Sequence, residues 1–154
     1  MDRLELVRQV VDEVLRQQPD QEERRCGFVH LYGVALAATW LALVRGQDPQ
    51  LCAVAGMLHD IWSYKVRVHP DHAHLSAGEA ERILSDLACF TPDEIARIGQ
   101  AIAHHSAKDQ VHGELDELLK DADVLQHYLY NPALPIHPRT YERVPNILLE
   151  LGLG

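Results

Sequence analysis

His59 and Asp60 stand side by side at the end of the apolar stretch Ala53-Val-Ala-Gly-Met-Leu58. With ten His and twelve Asp in 154 residues, about one such pair is expected by chance. Its setting is more informative, because a charged pair closing an apolar helix must face solvent, a partner or a metal. His30, the first histidine of the chain, lies inside its most apolar segment. Asp121 and Asp123 lie in another apolar run, Leu118-Leu-Lys-Asp-Ala-Asp-Val-Leu125. Two residues apart on a helix, they point in different directions, and the apolar neighbours turn one of them inward. An inward carboxylate needs a cation or several donors. Imidazoles and carboxylates from three separate helices suit one metal ion. Such a borderline donor set accepts iron, manganese, nickel, cobalt or zinc.

The elements that would hold these residues read as helices almost throughout. Leu4, Val7, Val11 and Val14 recur at helical spacing and predict a helix from about Asp2 to Gln17. The polar stretch Gln18–Arg25 ends it. Phe28 to Val44 is nearly all apolar, a central buried helix, and Gly46-Gln47 breaks it. Asp48-Pro49 caps a third helix that runs to about His59. Residues 61–75 read as a loop. Ser76-Ala-Gly-Glu79 has capping-box form and opens a helix to about Ala88. Thr91-Pro-Asp-Glu94 repeats the device for a helix to about His105. Residues 106–113 form a loop, and Leu115 to Tyr130 is helical. Three prolines between Asn131 and Pro138 exclude regular helix there, and a short last helix spans about Tyr141 to Leu151. No strand signal is present, so the expected fold is all-α.

Composition sets limits. The 154 residues are 47% hydrophobic and 24% charged, which argues against disorder. The net charge of −9 makes a poor binder of nucleic acid or anionic membrane. No uninterrupted apolar run reaches the ~18 residues of a membrane span, and the charged N-terminus is no secretory signal. Cys26, Cys52 and Cys89 are widely spaced, as expected of buried reduced thiols in a cytoplasmic protein.

The order His30, His59-Asp60, Asp123 resembles the HD-domain superfamily of metal-dependent phosphohydrolases. HLYGVALAA resembles its first-histidine helix, AVAGMLHDI its His-Asp helix end, and LLKDADVLQHYL its last-aspartate helix. The Lys-x-Ala-Asp pattern of that last segment selects Asp123 over Asp121. The resemblance spans roughly residues 24–130. It implies a single compact HD-type helical bundle over residues 1–154, with a metal site between helices formed by His30, His59, Asp60 and Asp123. Two further segments are similar to HD proteins that hold two metals: His74-Leu-Ser-Ala-Gly and Ala101-Ile-Ala-His-His-Ser106. They imply His74 and His105 as ligands of a second ion, with the Asp60 carboxylate bridging the pair. His104 and His105 diverge by about 100° on a helix, so only one can enter the site. The position of His105 nearest the loop favours it.

The activity implied is hydrolysis of a phosphomonoester or phosphoanhydride of a small molecule, a nucleotide first among them, by metal-activated water. Asp60 would be both a ligand and the group that holds or deprotonates the water, and Lys108 would meet the charge developing on phosphate. Lys65 and Arg67 are the next candidates for substrate binding. One or two divalent ions are the expected cofactor. The expected partner is the phosphorylated substrate, without nucleic acid or membrane, and a homodimer is compatible with the chain. Two positions depart from relatives. Ile61-Trp-Ser-Tyr-Lys65 lacks the carboxylate of HD deoxynucleotidases, and Ser63 stands where some two-metal relatives have Lys. The alternative reading is a non-catalytic HD domain that binds metal or ligand.

Overall fold

Asp2 opens the first helix, α1 (Arg3–Gln17), by accepting hydrogen bonds from the backbone N–H groups of Leu4 and Glu5. In this computed structural model, which describes residues 2–140 and 142–154, seven further α-helices follow. They are α2 (Gln21–Arg45), α3 (Pro49–Leu58), α4 (Ile61–Lys65), α5 (His72–Leu87), α6 (Pro92–His104), α7 (Glu114–Tyr130) and α8 (Arg143–Glu150), with a 3₁₀ turn at Pro138–Thr140. No strand occurs among the described residues, and the fold is all-α.

α2 is the central element, and α3 and α7 pack along it. The α2–α3 crossing is close because Gly56 has no side chain. A Cβ there would come within 2.9 Å of the Ala35 backbone. This approach brings the C-terminal end of α3, and with it His59, onto the middle of α2. Asp48 caps α3 through the N–H groups of Gln50 and Leu51, with Pro49 in the first turn. α6 begins on a complete capping box: Thr91 accepts from Glu94 N–H, and Glu94 accepts from Thr91 N–H. One contiguous core joins Val7, Val11 and Leu15 of α1 to Leu31 and Leu41 of α2, Met57 and Leu58 of α3, Leu84 of α5, Ile98 and Ile102 of α6, and Leu118 and Leu119 of α7.

Three element boundaries differ from the sequence reading. α2 begins at Gln21, because only residues 18–20 interrupt the chain. Asp20 caps it by accepting from Glu23 N–H, and Glu22 and Glu23 lie favourably in its first turn. A polar first turn in solvent is no helix break. α2 is long and apolar enough to cross a bilayer. Here Leu31, Val34, Ala38 and Leu41 face the core while Leu36 and Leu43 are exposed.

The expected loop 61–75 contains all of α4 and the first turn of α5. Ser76-x-x-Glu79 is not a cap. Ser76 is buried and accepts from Trp62 N–H at 3.2 Å, and Glu79 pairs with Lys65 and Arg82. The start of α8 at Tyr141 falls outside the described residues, and the helix is described from Arg143. Of the three free thiols only Cys52 is buried; Cys26 and Cys89 are partly exposed.

Candidate metal centre

α2 supplies His30, the end of α3 supplies His59 and Asp60, the start of α5 supplies His72, the end of α6 supplies His105, and α7 supplies Asp123. Around His30 Nε2 lie His59 Nε2 at 3.0 Å, Asp60 Oδ2 at 3.4 Å and Asp123 Oδ1 at 3.5 Å. His59 Nε2 is 3.4 Å from Asp60 Oδ2 and 3.7 Å from Asp123 Oδ1. Such separations are close to those between neighbouring donors around one ion with ligand bonds of ~2.0–2.2 Å. The other oxygen of Asp60 faces a second group. Its Oδ1 is 3.3 Å from His105 Nε2 and 3.5 Å from His72 Nε2. The two oxygens of one carboxylate thus face two imidazole pairs.

The far side of each ring fixes its tautomer. His59 Nδ1–H donates to the Gly56 carbonyl at 2.7 Å, and His105 Nδ1–H to the Ile102 carbonyl at 2.7 Å. His30 Nδ1–H donates to Gln126 Oε1 at 2.8 Å. A neutral ring held this way presents the Nε2 lone pair to the centre. Among the described residues, Asp60 Oδ1 and Asp123 Oδ1 are buried side-chain oxygens without a hydrogen-bond partner. Lone pairs that converge on orphaned carboxylate oxygens fit a cation.

The electrostatics agree. Burial disfavours a charged His59, but Asp60 and Asp123 outweigh it and raise its pKa to about 10. The two carboxylates call for positive charge at this point, which a proton or a metal satisfies. Burial pushes Asp60 upward, yet His59, His105 and His30 hold it far below the carboxylate range. Burial likewise opposes ionised Asp123, and Lys108, His127 and His59 hold it low. Burial is the main cause that lowers His105, so its ring stays neutral.

His30, His59, Asp60, His105 and Asp123 therefore come together. His74 does not. Its side chain is 68% exposed and bonds Asp71 at 2.8 Å, while His72 takes the inward position. Once α5 begins at His72, the reason is helical register. Ile83, Ala80, Glu79, Ser76 and Ala73 make the buried face, whereas Gly78, Glu81, Arg82 and Ser85 share the exposed side with His74. Extending the Ile83–Ser76 periodicity backward would have pointed to His72.

His104 turns away from the centre and donates to Asp116 Oδ2 at 2.6 Å. Lys120, three residues before Asp123, is wholly buried. Its ammonium is satisfied by Gln110 O, His112 Nδ1 and Glu117 Oε1 at 2.7–2.9 Å. Asp121 points to the opposite side from Asp123, pairing with Arg45 and Arg143.

Lys108 Nζ sits 2.7 Å from Asp123 Oδ2 and 2.6 Å from the His105 carbonyl. Lys65 is engaged by Glu79, and Arg67 is exposed in the 66–71 loop; neither lines the cavities beside the centre. Those cavities meet at His127, whose Nε2 is 3.4 Å from Asp123 Oδ1. The second cation lining them is Arg25, the last residue of the polar stretch Gln18–Arg25, for which the sequence offers no site role.

The HD-domain family model matches residues 27–128, from the start of the His30 segment to the turn after Asp123. The chain belongs to the HD-domain family. No curated protein and no solved structure matches it. HD domains generally are metal-dependent hydrolases that bind divalent ions through His and Asp. This HD domain carries two adjacent His/Asp groups of the kind that can hold such ions, His30-His59-Asp60 and Asp60-His72-His105.

Proposed function

We propose that this HD domain is a phosphohydrolase acting on a small phosphorylated molecule, with a nucleotide as its substrate class. The observation that carries the reading is the Asp60 carboxylate, with Oδ2 toward His30 and His59 and Oδ1 toward His72 and His105. His30, His59, Asp60 and Asp123 would hold one divalent ion, and Asp60, His72 and His105 a second. Iron, manganese, nickel, cobalt and zinc all suit these donors. A divalent ion bound there lowers the pKa of a water molecule and neutralises charge on a phosphate oxygen.

The remaining work falls to the chain's own groups. Asp60, held ionised by the imidazoles around it, orients the attacking water. Lys108 is buttressed by Asp123 and the His105 carbonyl, and it brings positive charge to the cavity side of the centre, where phosphate charge develops. Gln126 and the Gly56 and Ile102 carbonyls hold three rings in one tautomer, so the donors need no rearrangement.

Phosphate release from nucleoside mono-, di- and triphosphates, measured with each of the five metals, tests the reading. The expected result is turnover that disappears in Asp60→Ala. Ser63 and the carboxylate-free stretch 61–65 favour one competing reading, a non-catalytic HD domain. Metal-loaded protein that releases phosphate from none of these substrates would establish that alternative.

A further inference from the structure

A cavity of about 420 Å3 adjoins the candidate metal centre. Lys108, Asp123 and His127 form the end that it shares with the centre. Its other walls differ in character. α7 contributes Val124 and Tyr128, α8 contributes Val144, and the connection between them contributes Leu134, Pro135 and Ile136. The volume lies in the lower part of the ~300–1,000 Å3 range of small-molecule sites.

This connection lies beyond residues 27–128, so the family match does not include it. It is built as a fixed wall. Pro132, Pro135 and Pro138 restrict its backbone. Asn131 accepts from Leu134 N–H at 3.0 Å through its carbonyl and from Ala133 N–H at 3.1 Å through its side chain. The 3₁₀ turn closes with Thr140 N–H on the His137 carbonyl at 2.8 Å. α8 holds the far end of the segment, through Arg143 on Asp121 and on the Lys108 carbonyl. Leu134 is nonetheless 57% exposed, an apolar side chain held at the cavity with nothing over it.

We propose that this cavity receives the nucleobase of the substrate, and that Leu134, Pro135, Ile136, His137, Thr140 and Val144 determine which organic group is accepted beside the phosphate. The proposal rests on the phosphohydrolase reading for the phosphate end alone. A flat ring between Tyr128 and the Leu134-Pro135-Ile136 wall removes apolar surface from water on both faces, and aromatic packing on Tyr128 adds to that. Asn131, His137 and Thr140 lie at the same cavity and can meet the polar ring edge. The neighbouring cavity, of about 310 Å3, is smaller; Arg25, Tyr64 and Tyr130 line it beside His30 and Asp60 of the centre, and it lacks the apolar wall of Leu134, Pro135 and Ile136.

The test needs neither metal nor turnover. The full chain is titrated with adenosine, guanosine, cytidine, uridine and ribose, and the methyl signals of Leu134, Ile136 and Val144 are followed by NMR. At least one nucleoside should shift these methyls saturably, with affinity at least about tenfold above that of ribose. The preference should vanish in Leu134→Asp, whose exposed site tolerates the change, and persist in Leu129→Asp on an exposed part of α7 away from the cavity. Three results each overturn the proposal: no nucleoside exceeds ribose, the shifts fall instead around Tyr64 and Arg25, or the preference survives Leu134→Asp. Absence of phosphatase activity would count against the hydrolase reading and leave this result standing.

Discussion

Gln126 contributes no proposed ligand atom, but its amide oxygen accepts from His30 Nδ1–H and so decides which His30 nitrogen faces the centre. Removing such a support typically weakens metal affinity by about 10–100-fold. Gln126→Leu should do so while the helical circular dichroism stays unchanged, as titration with manganese can measure. His72 and His74 offer a sharper contrast. His72→Ala should lower the metal content from two per chain to one, whereas His74→Ala should leave it at two, because His74 faces solvent. Elemental analysis of the two variants reads this directly. Equal loss in both would mean that the inward position of His72 has no bearing on metal.

At the scale of elements, Gly56 fixes how α3 crosses α2. A Cβ at this position meets the Ala35 backbone, which has no flexible end to swing aside. Overpacking of this kind costs about 1–3 kcal/mol, against ~1 kcal/mol gained from alanine's helix propensity. Gly56→Ala should therefore lower the melting temperature, and it should weaken metal binding too, since the Gly56 carbonyl holds the His59 ring. Stability lost without any change in metal affinity would uncouple the crossing from the site.

The start of α6 carries a pH-dependent contribution. The backbone N–H of Thr91, with Arg3, holds the Glu94 carboxyl below its ordinary 4.5. A carboxylate depressed in the folded state stabilises fully above its ordinary value and loses that effect as pH falls through the lowered one. Thermal melts should show Glu94→Gln less stable than the parent at pH 7, with the gap closing below about pH 4.5.

For the molecule as a whole, the candidate centre ties together α2, α3, α5, α6 and α7, and one buried oxygen of each of its carboxylates, Asp60 and Asp123, has no hydrogen-bond partner. An ion that binds only the folded chain adds ~2.7 kcal/mol at a hundredfold excess over its dissociation constant. For a chain of this size that is roughly 5–10 °C in melting temperature. Differential scanning calorimetry should show such a rise with manganese, its reversal by chelator, and neither in Asp60→Ala. A melting temperature indifferent to every divalent metal would leave the orphaned oxygens of Asp60 and Asp123 without the cation argued for them.

The sequence by itself determined the all-α class, because apolar spacing and caps are local. Asp48-Pro49, Thr91-x-x-Glu94 and the Leu118–Leu125 run each declare a helix without help from elsewhere. It also drew attention to His30, to His59-Asp60 and to the Asp121/Asp123 pair, polar residues set in apolar helices; the choice of Asp123 came from the resemblance to HD domains, and the fold brings His30, His59, Asp60 and Asp123 together. Helical divergence allowed only one of His104 and His105 into the centre, and the place of His105 nearest the loop favoured it. Tertiary structure alone decided what depends on contacts across the chain. Ser76 carries a cap's residue type, yet it bonds Trp62 from within a helix that starts four residues earlier, and that shift of register exchanges His74 for His72. Lys120 is buried because three acceptors from two segments converge on it. Lys65 turns to Glu79, and the wall at Leu134 gains its place beside Asp123 only when α8 docks on α7. A charge or an exposed leucine looks the same in sequence whatever it meets in space, and these assignments follow from what each side chain meets.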